Sequence, residues 1–251
     1  MSFFTFTNAH PPVWSIRRYP AREWVKLLPM NSEALLTRHL ETWLGVWPPP
    51  PGRLVVVGSE RRTRPGWDGA VRPVVGVATD DGGTVLSVPP DVADAARALG
   101  DGVDAVGDGL GSLIGRPGRR LFRGVFRWSG SPPSVDELPD AGEWVPTSDP
   151  RVPRWLLPFN GDVLIAWDDS GQYGAGVGRK QHDQYGHELA VVTEPALQRK
   201  GLARRLVAQA ARRVVADGAI ATYLHDPANH ASAHVAQATG FPDIGWSILG
   251  L

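Results

Sequence analysis

"VTEPALQRKGLARRL", Val192 to Leu206, joins a strand-like run to an amphipathic pattern through a turn of unusual composition. Pro195 has no amide N–H to give a sheet ladder, so a strand must stop near Glu194. Gly201 lets the backbone approach a ligand closely or take a positive φ. Beyond it, Leu202, Leu206, Val207, Ala210 and Val214 share one helical face, and Arg204, Arg205, Arg212 and Arg213 lie largely off it. A helix opening here presents the backbone N–H groups from Gln198 to Ala203 at its N-terminus. Such an end carries about half a positive charge and attracts phosphate. Arg199, Lys200 and Arg204 add mobile cations at the same place. The turn is therefore expected to cradle a pyrophosphate.

The flanking sequence extends this unit. "GDVLIAWDDSGQYGAGVGRKQHDQYGHELAVVTEP" reads as three strands with turns at Asp168–Gln172 and Asp183–Gly186. A helix from about Leu202 to Ala216, a strand "AIATYLH", a helix from about His230 to Thr239 and a strand "GWSIL" follow. The order β-β-β-α-β-α-β predicts an α/β unit with a mixed sheet.

Two motifs in this unit match a known pattern. Gln198-x-x-Gly201-x-Ala203 after an apolar strand resembles the acyl-CoA pyrophosphate signature of the GNAT superfamily of N-acyltransferases. "DPANHASAHVAQATGF" is similar to that superfamily's last helix, which opens with Asn and closes in Gly-Phe. The element order from about Val163 agrees as well. The resemblance implies acetyl-CoA, or another acyl-CoA, as donor. It implies that the strand around Leu189–Thr193 splays from the next one and leaves the backbone of Val191, Val192 and Thr193 to bond pantetheine. Gln198, Arg199, Lys200, Gly201, Leu202, Ala203 and Arg204 would hold the diphosphate, and Asn229 would touch the cofactor. Asn229 is also a natural N-cap, with Gly240 as C′ residue.

Acyl transfer to an amine needs a neutral amine, a stabilised thioester oxygen and, in some cases, a proton for the departing thiolate. Glu188 is the expected base, on a strand where superfamily members often place a Glu. His187 and His182 are runners-up. The superfamily often carries its acid, a Tyr, seven residues after the helix-opening Asn; here Ala236 stands at that position. Ser232 or His234 is the expected substitute; the alternative is that the thiolate leaves without a protein acid. His225, His230 and His234 suggest a metal only weakly, and no metal is expected. Asp168-Asp169-Ser170-Gly171 reads as a hairpin turn rather than a Ca loop. Trp155, Phe159, Tyr173 and Trp246 are expected in the core or at a domain interface.

The first half is less distinctive. The stretch to about Pro20 mixes aromatics with Pro and suits a surface arm. "NSEALLTRHLETWLG" is a helix that Asn31 or Ser32 can cap, with Leu35, Leu36, His39, Leu40 and Trp43 on one face. "RLVVVGSE", "AVRPVVGVAT" and "GTVLSV" read as strands, and "PPDVADAARALG" as a short helix. "DGLGSLIGRPG" is ambiguous. "RRLFRGVFRWS" alternates apolar and basic residues, as a strand with one wet face does, and would align Arg119, Arg123 and Arg127. The Pro-rich run from Ser129 to Pro153 is the expected linker. The organisation expected is an N-terminal α/β domain over 1–128, a linker over 129–153 and a GNAT acyltransferase domain over 154–251. The N-terminal domain resembles the degenerate one of tandem GNAT proteins; an unrelated α/β cap is the alternative.

Composition narrows the function. The chain of 251 residues is 42% apolar, enough for a packed core. Its 26 acidic and 26 basic residues cancel, which removes a global basic field for nucleic acid. With no cysteine, disulfides, thiolate catalysis and Cys-ligated metal are excluded. No apolar run approaches the roughly 18 residues of a membrane helix, and no signal peptide is evident, so a cytoplasmic protein is expected. The expected activity is N-acetyl transfer to a primary amine of a small molecule, by direct attack in a ternary complex, from a monomer or homodimer. Transfer from an aminoacyl- or acyl-tRNA, drawing on the Arg-rich strand, and a non-catalytic CoA-binding module are the alternatives.

Overall fold

The computed structural model describes residues 31–251, so the expected N-terminal arm lies outside the described residues. The described chain builds a ten-stranded mixed sheet and five α-helices. Helix α1 (Ser32–Leu44) is capped by Asn31, whose side chain accepts the Ala34 N–H at 2.7 Å, and it stops at Gly45, which takes φ +105°. Strands β1 (Leu54–Gly58), β2 (Val75–Ala78) and β3 (Thr84–Val88) follow. The short helix α2 (Ala93–Arg97) comes next, and the ambiguous glycine-rich run supplies the second half of a helix, α3 (Val103–Leu113), and the turn after it. Strands β4 (Phe122–Ser129), β5 (Glu143–Val145), β6 (Val163–Trp167), β7 (Tyr173–Gln181) and β8 (Gly186–Thr193) lead to α4 (Leu202–Ala216). Strand β9 (Ile220–His225), helix α5 (His230–Ala238) and strand β10 (Ser247–Gly250) complete the described chain.

The strand order is β1-β3-β2-β10-β4-β9-β8-β7-β6-β5, and only β1/β3 and β8/β9 are parallel pairs. Strand pairing crosses the expected domain boundaries, and β4 pairs directly with β9. Strand β5 lies inside the Pro-rich run and pairs with β6. Strand β10 runs between β2 and β4, pairing Ile248 with Val77 on one side and with Gly124 on the other.

Side-chain alternation along the strands assigns the helices to faces. Leu36, Leu40 and Trp43 of α1 pack with Val75, Val85, Phe126, Ile220 and Ile248. On the opposite face, Leu206, Val207, Ala210 and Val214 of α4 meet Val177, Leu189, Ala221 and Tyr223, and Ala236 of α5 joins them. Helices α2 and α3 cover β1, β3 and β10 on that same side through Ala96, Val106, Leu110, Leu86 and Leu249.

Strand β4 differs from the expectation of a wet face. It lies between β10 and β9, so both its edges are paired. Arg119 precedes the strand, Arg123 is exposed, and Arg127 is only 4% exposed. The Arg127 guanidinium donates to His225 Nε2 (3.1 Å), Gln237 Oε1 (3.3 Å), Phe241 O (3.1 Å) and Asp243 Oδ2 (3.0 Å). Arg127 is thus a clamp between β4, β9 and the end of α5, and the three arginines form no common patch.

Candidate functional site

Strands β8 and β9 pair only from Gly186↔Ile220 to Leu189↔Tyr223. Beyond Leu189, β8 keeps its ladder to β7, from Ala190↔Gly178 to Thr193↔Ala175, while β9 turns away. The edge of Ala190–Thr193 is left without a ladder partner among the described residues. A cavity of about 720 Å³ opens there on the α4/α5 face. Its lining includes Val191, Val192, Thr193, Gln198, Arg199, Gly201, Leu202, Ala203, Arg204 and Asn229, every expected cofactor-binding residue except Lys200. Lys200 is exposed in the same turn.

The turn has the backbone its sequence suggests. Gly201 takes φ +77°, and Arg199, unusually for a residue with a side chain, takes φ +62°. Gln198 Nε2 donates to Thr193 O at 3.3 Å and ties the turn to β8. Arg205 N–H reaches Gly201 O at 3.2 Å, and the amides from Arg199 to Arg204 have no backbone partner among the described residues. A run of free amides beside left-handed residues is an anion-binding concavity. Thr193 Oγ1, buried in the same groove, has no partner among the described residues. Asn229 does cap α5, its Oδ1 accepting Ser232 N–H at 3.0 Å, and Gly240 takes φ +83° after the helix.

Ser232 and His234 line this cavity too. Ser232 Oγ lies 2.9 Å from the Tyr223 hydroxyl. Burial pushes the Tyr223 phenol above its usual range, against a smaller lowering by the Ser232 bond. Tyr223 is thus a tyrosine at the groove that comes from β9 rather than from the last helix. Period-two alternation on "AIATYLH" would have pointed it toward α5, a signal that a search confined to the helix overlooks.

Glu188 points to the other face. It is 4% exposed, forms an ion pair with Lys180 and lies 3.1 Å from His182 Nε2 through Oε2. Burial by itself raises a carboxyl, but the His182 bond and the Lys180 charge outweigh it and hold Glu188 at about 2. Burial lowers the His182 imidazole, against the pull of Glu188. The ring lies tilted against Trp43 of α1, at 4.6 Å between centroids. Behind it, His39 Nδ1 meets Asp183 Oδ2 at 3.0 Å. A cavity of about 550 Å³ is lined by Glu188, Lys180, His182, Trp43 and Leu224. Tyr223 and Leu224 are consecutive on β9, so the two cavities lie on opposite faces at the place where β8 and β9 separate.

Glu188 and His182 therefore meet, whereas His187 does not join them. It precedes Glu188 on the strand and faces the other side near Arg179 and Asp217, and burial pushes it down to about 4. His225 is engaged by Arg127 and by Asp226 O (2.9 Å), and no group of three or more His, Cys, Asp or Glu is placed to hold a metal among the described residues. The Asp168 carboxylate accepts from the Ser170 and Gln172 amides, each at 2.9 Å, as a hairpin turn does. Trp155 donates to Tyr173 and packs against Phe159, and Trp246 stacks on Phe126 in the core. No helix among the described residues is long and apolar enough to cross a membrane.

Among solved structures, the chain is similar to a protein described as a GNAT-family acetyltransferase from Novosphingobium aromaticivorans, at 18% identity, TM-score 0.43, with 52% of this chain and 64% of that one covered. It is similar to an acetyltransferase of the GNAT family from Colwellia psychrerythraea, at 11% identity, TM-score 0.41, with 56% and 59% covered. It is also similar to a GCN5-related N-acetyltransferase-like protein from Streptococcus suis, at 17% identity, TM-score 0.42, with 66% and 70% covered. The chain thus spans less than two thirds of the first two. No curated protein matches it. Residues 125–241, which carry the turn, the splayed strands and the whole lining of the α4/α5-face cavity, match the Acetyltransferase (GNAT) family, and this segment is a GNAT acetyltransferase domain.

Proposed function

We propose that the protein is an N-acyltransferase that moves an acyl group, acetyl above all, from acyl-CoA to a primary amine of a small molecule. The observation that carries this reading is the pair of cavities on opposite faces of the sheet, both beside the place where β8 and β9 part. Acyl-CoA, when bound, supplies an acyl group already activated as a thioester. The free amides from Arg199 to Arg204, with the side chains of Arg199, Lys200 and Arg204, suit its diphosphate. The open edge of Ala190–Thr193 suits its pantetheine amides, and the unsatisfied Thr193 hydroxyl has room for a partner there.

On the other face, His182 takes the proton of the attacking amine. Burial disfavours the charged form of its ring and so leaves a site for that proton, while Glu188, held low by His182 and Lys180, stabilises the imidazolium that forms. Glu188 thereby acts through His182 rather than as the immediate acceptor, because a carboxyl held at about 2 is a weak base. The Tyr223–Ser232 hydroxyl pair holds a proton on the donor side, in place of the tyrosine missing at Ala236; His234 lines the same cavity. Direct attack suits a chain without cysteine. Helix α1 places His39 and Trp43 against His182, at 6.1 and 4.6 Å between ring centroids, which supports a role for the first half in shaping the acceptor cleft.

The test is thiol release from acetyl-CoA across a panel of primary amines, with calorimetric titration of coenzyme A alongside. Release with some amines supports the transferase. Binding of coenzyme A with no release from any amine identifies a non-catalytic binding module instead.

A further inference from the structure

Beside the Glu188 cavity lies a smaller one of about 360 Å³, and the two share Trp43, Trp67, Arg72 and His182 in their walls. Arg61, Arg62, Arg64 and Arg72 all line the smaller cavity, and no Asp or Glu does. Arg72 is neutralised by Asp68 through two bonds of 2.8 Å. The other three have no carboxylate partner among the described residues. Arg61 gives Nη2 to His182 O at 2.6 Å, so one guanidinium already touches the backbone of the proposed base.

Arg62 is the telling residue. It is 4% exposed, and its Nη2 donates to Trp43 O at 2.9 Å. Its Nε is buried with no partner among the described residues. Burial, then the neighbouring charges of Arg61 and Arg72, lower it to about 10. A buried cation flanked by two more is costly unless an anion reaches it. The walls between these arginines and His182 are aromatic: Trp67, with Arg72 at 5.4 Å and Lys180 at 5.5 Å from its ring, and Trp43 against His182. Such walls suit a short carbon frame.

We propose that this arginine cavity binds an oxyacid group, carboxylate or phosphate, carried by the acceptor, so that the substrate class is an anionic amine with its nitrogen presented to His182. The inference rests on the transferase reading for the role of His182, but the anion site itself does not require turnover.

The experiment uses the full chain and matched amines of equal length, one bearing a carboxylate, one a phosphate monoester and one neutral. With acetyl-CoA saturating, kcat/KM for at least one acidic member should exceed the neutral one by about 10- to 100-fold. Arg64→Glu, at an exposed position, and Arg61→Glu should erase most of that preference. The carboxylate and phosphate arms decide between the two oxyacids. Calorimetric titration of the acidic amines, with coenzyme A present to fill the donor groove, reads the cavity without chemistry. Saturable binding that Arg64→Glu or Arg61→Glu weakens supports the site even if no amine is acylated. Neutral amines performing as well as acidic ones, or acid binding unaffected by both variants, overturns it.

Discussion

Glu188 and His182 divide one task between a charge and a base. Glu188→Gln keeps the shape of the side chain but removes the anion that stabilises a protonated His182. A fall in kcat of about 10²- to 10³-fold is expected, read in steady-state thiol release. The pH profile carries a sign. Because burial lowers the His182 imidazole, kcat should hold to more acidic pH than an ordinary histidine near ~6.5 allows, then fall as the ring gains a proton. Glu188 opposes that lowering, so Glu188→Gln should move the acid limb to still lower pH while it depresses the plateau. A variant whose limb moves toward neutrality would contradict the assignment. At this scale the sequence exposed Glu188 and left His182 second to it, because the 3.1 Å contact joins residues from β8 and the turn before it, and no spacing rule encodes that contact. Tyr223 was hidden for a different reason. Its hydroxyl reaches Ser232 from another element, so a search along the helix passes it by.

The turn before α4 was the most legible element, since proline, glycine and amphipathic periodicity each act locally. Its left-handed Gly201 gives a direct test. Gly201→Val forces a β-branched residue to φ +77°, which costs about 1–2 kcal/mol and displaces the amides of the turn. Affinity for coenzyme A, measured by calorimetry, should drop about tenfold or more. A second glycine tests how α1 docks. A Cβ added at Gly186 would come 2.2 Å from the His39 ring, so Gly186→Ala must push α1 off β8. Overpacking of this kind destabilises by about 1–3 kcal/mol, visible as a lowered denaturation midpoint. Strand β4 shows where element-level inference fails. Alternating apolar and basic residues look like a wetted strand, yet Arg127 is buried because α5 closes over that face, and its charge is met by partners far away in sequence. The glycine-rich α3 was ambiguous for the opposite reason: its poor helix propensity is overridden by packing of Val106 and Leu110 against Leu86 and Leu249.

At the scale of the molecule, the segmentation into two α/β units with a linker was drawn from composition, while the sheet ignores it. Composition reports how well a segment can pack, but not which strands it will pair with. The linker-like run supplies β5, and β10, which comes from the second half, pairs on both sides with strands of the first, β2 and β4. Deleting residues 247–251 should therefore abolish the single cooperative unfolding transition of the whole chain rather than trim its end, as followed by circular dichroism. A truncated protein that kept its coenzyme A affinity and melted in two independent steps would show that the halves stand alone.

The central position of β10 also bears on biosynthesis. Strands β2 and β4 emerge from the ribosome long before the segment that slots between them, so each waits with a bare row of amides and carbonyls. During that interval the nascent chain offers two sticky margins to neighbouring polypeptides, and slow translation of the codons for β10 would favour aggregation over insertion of the strand.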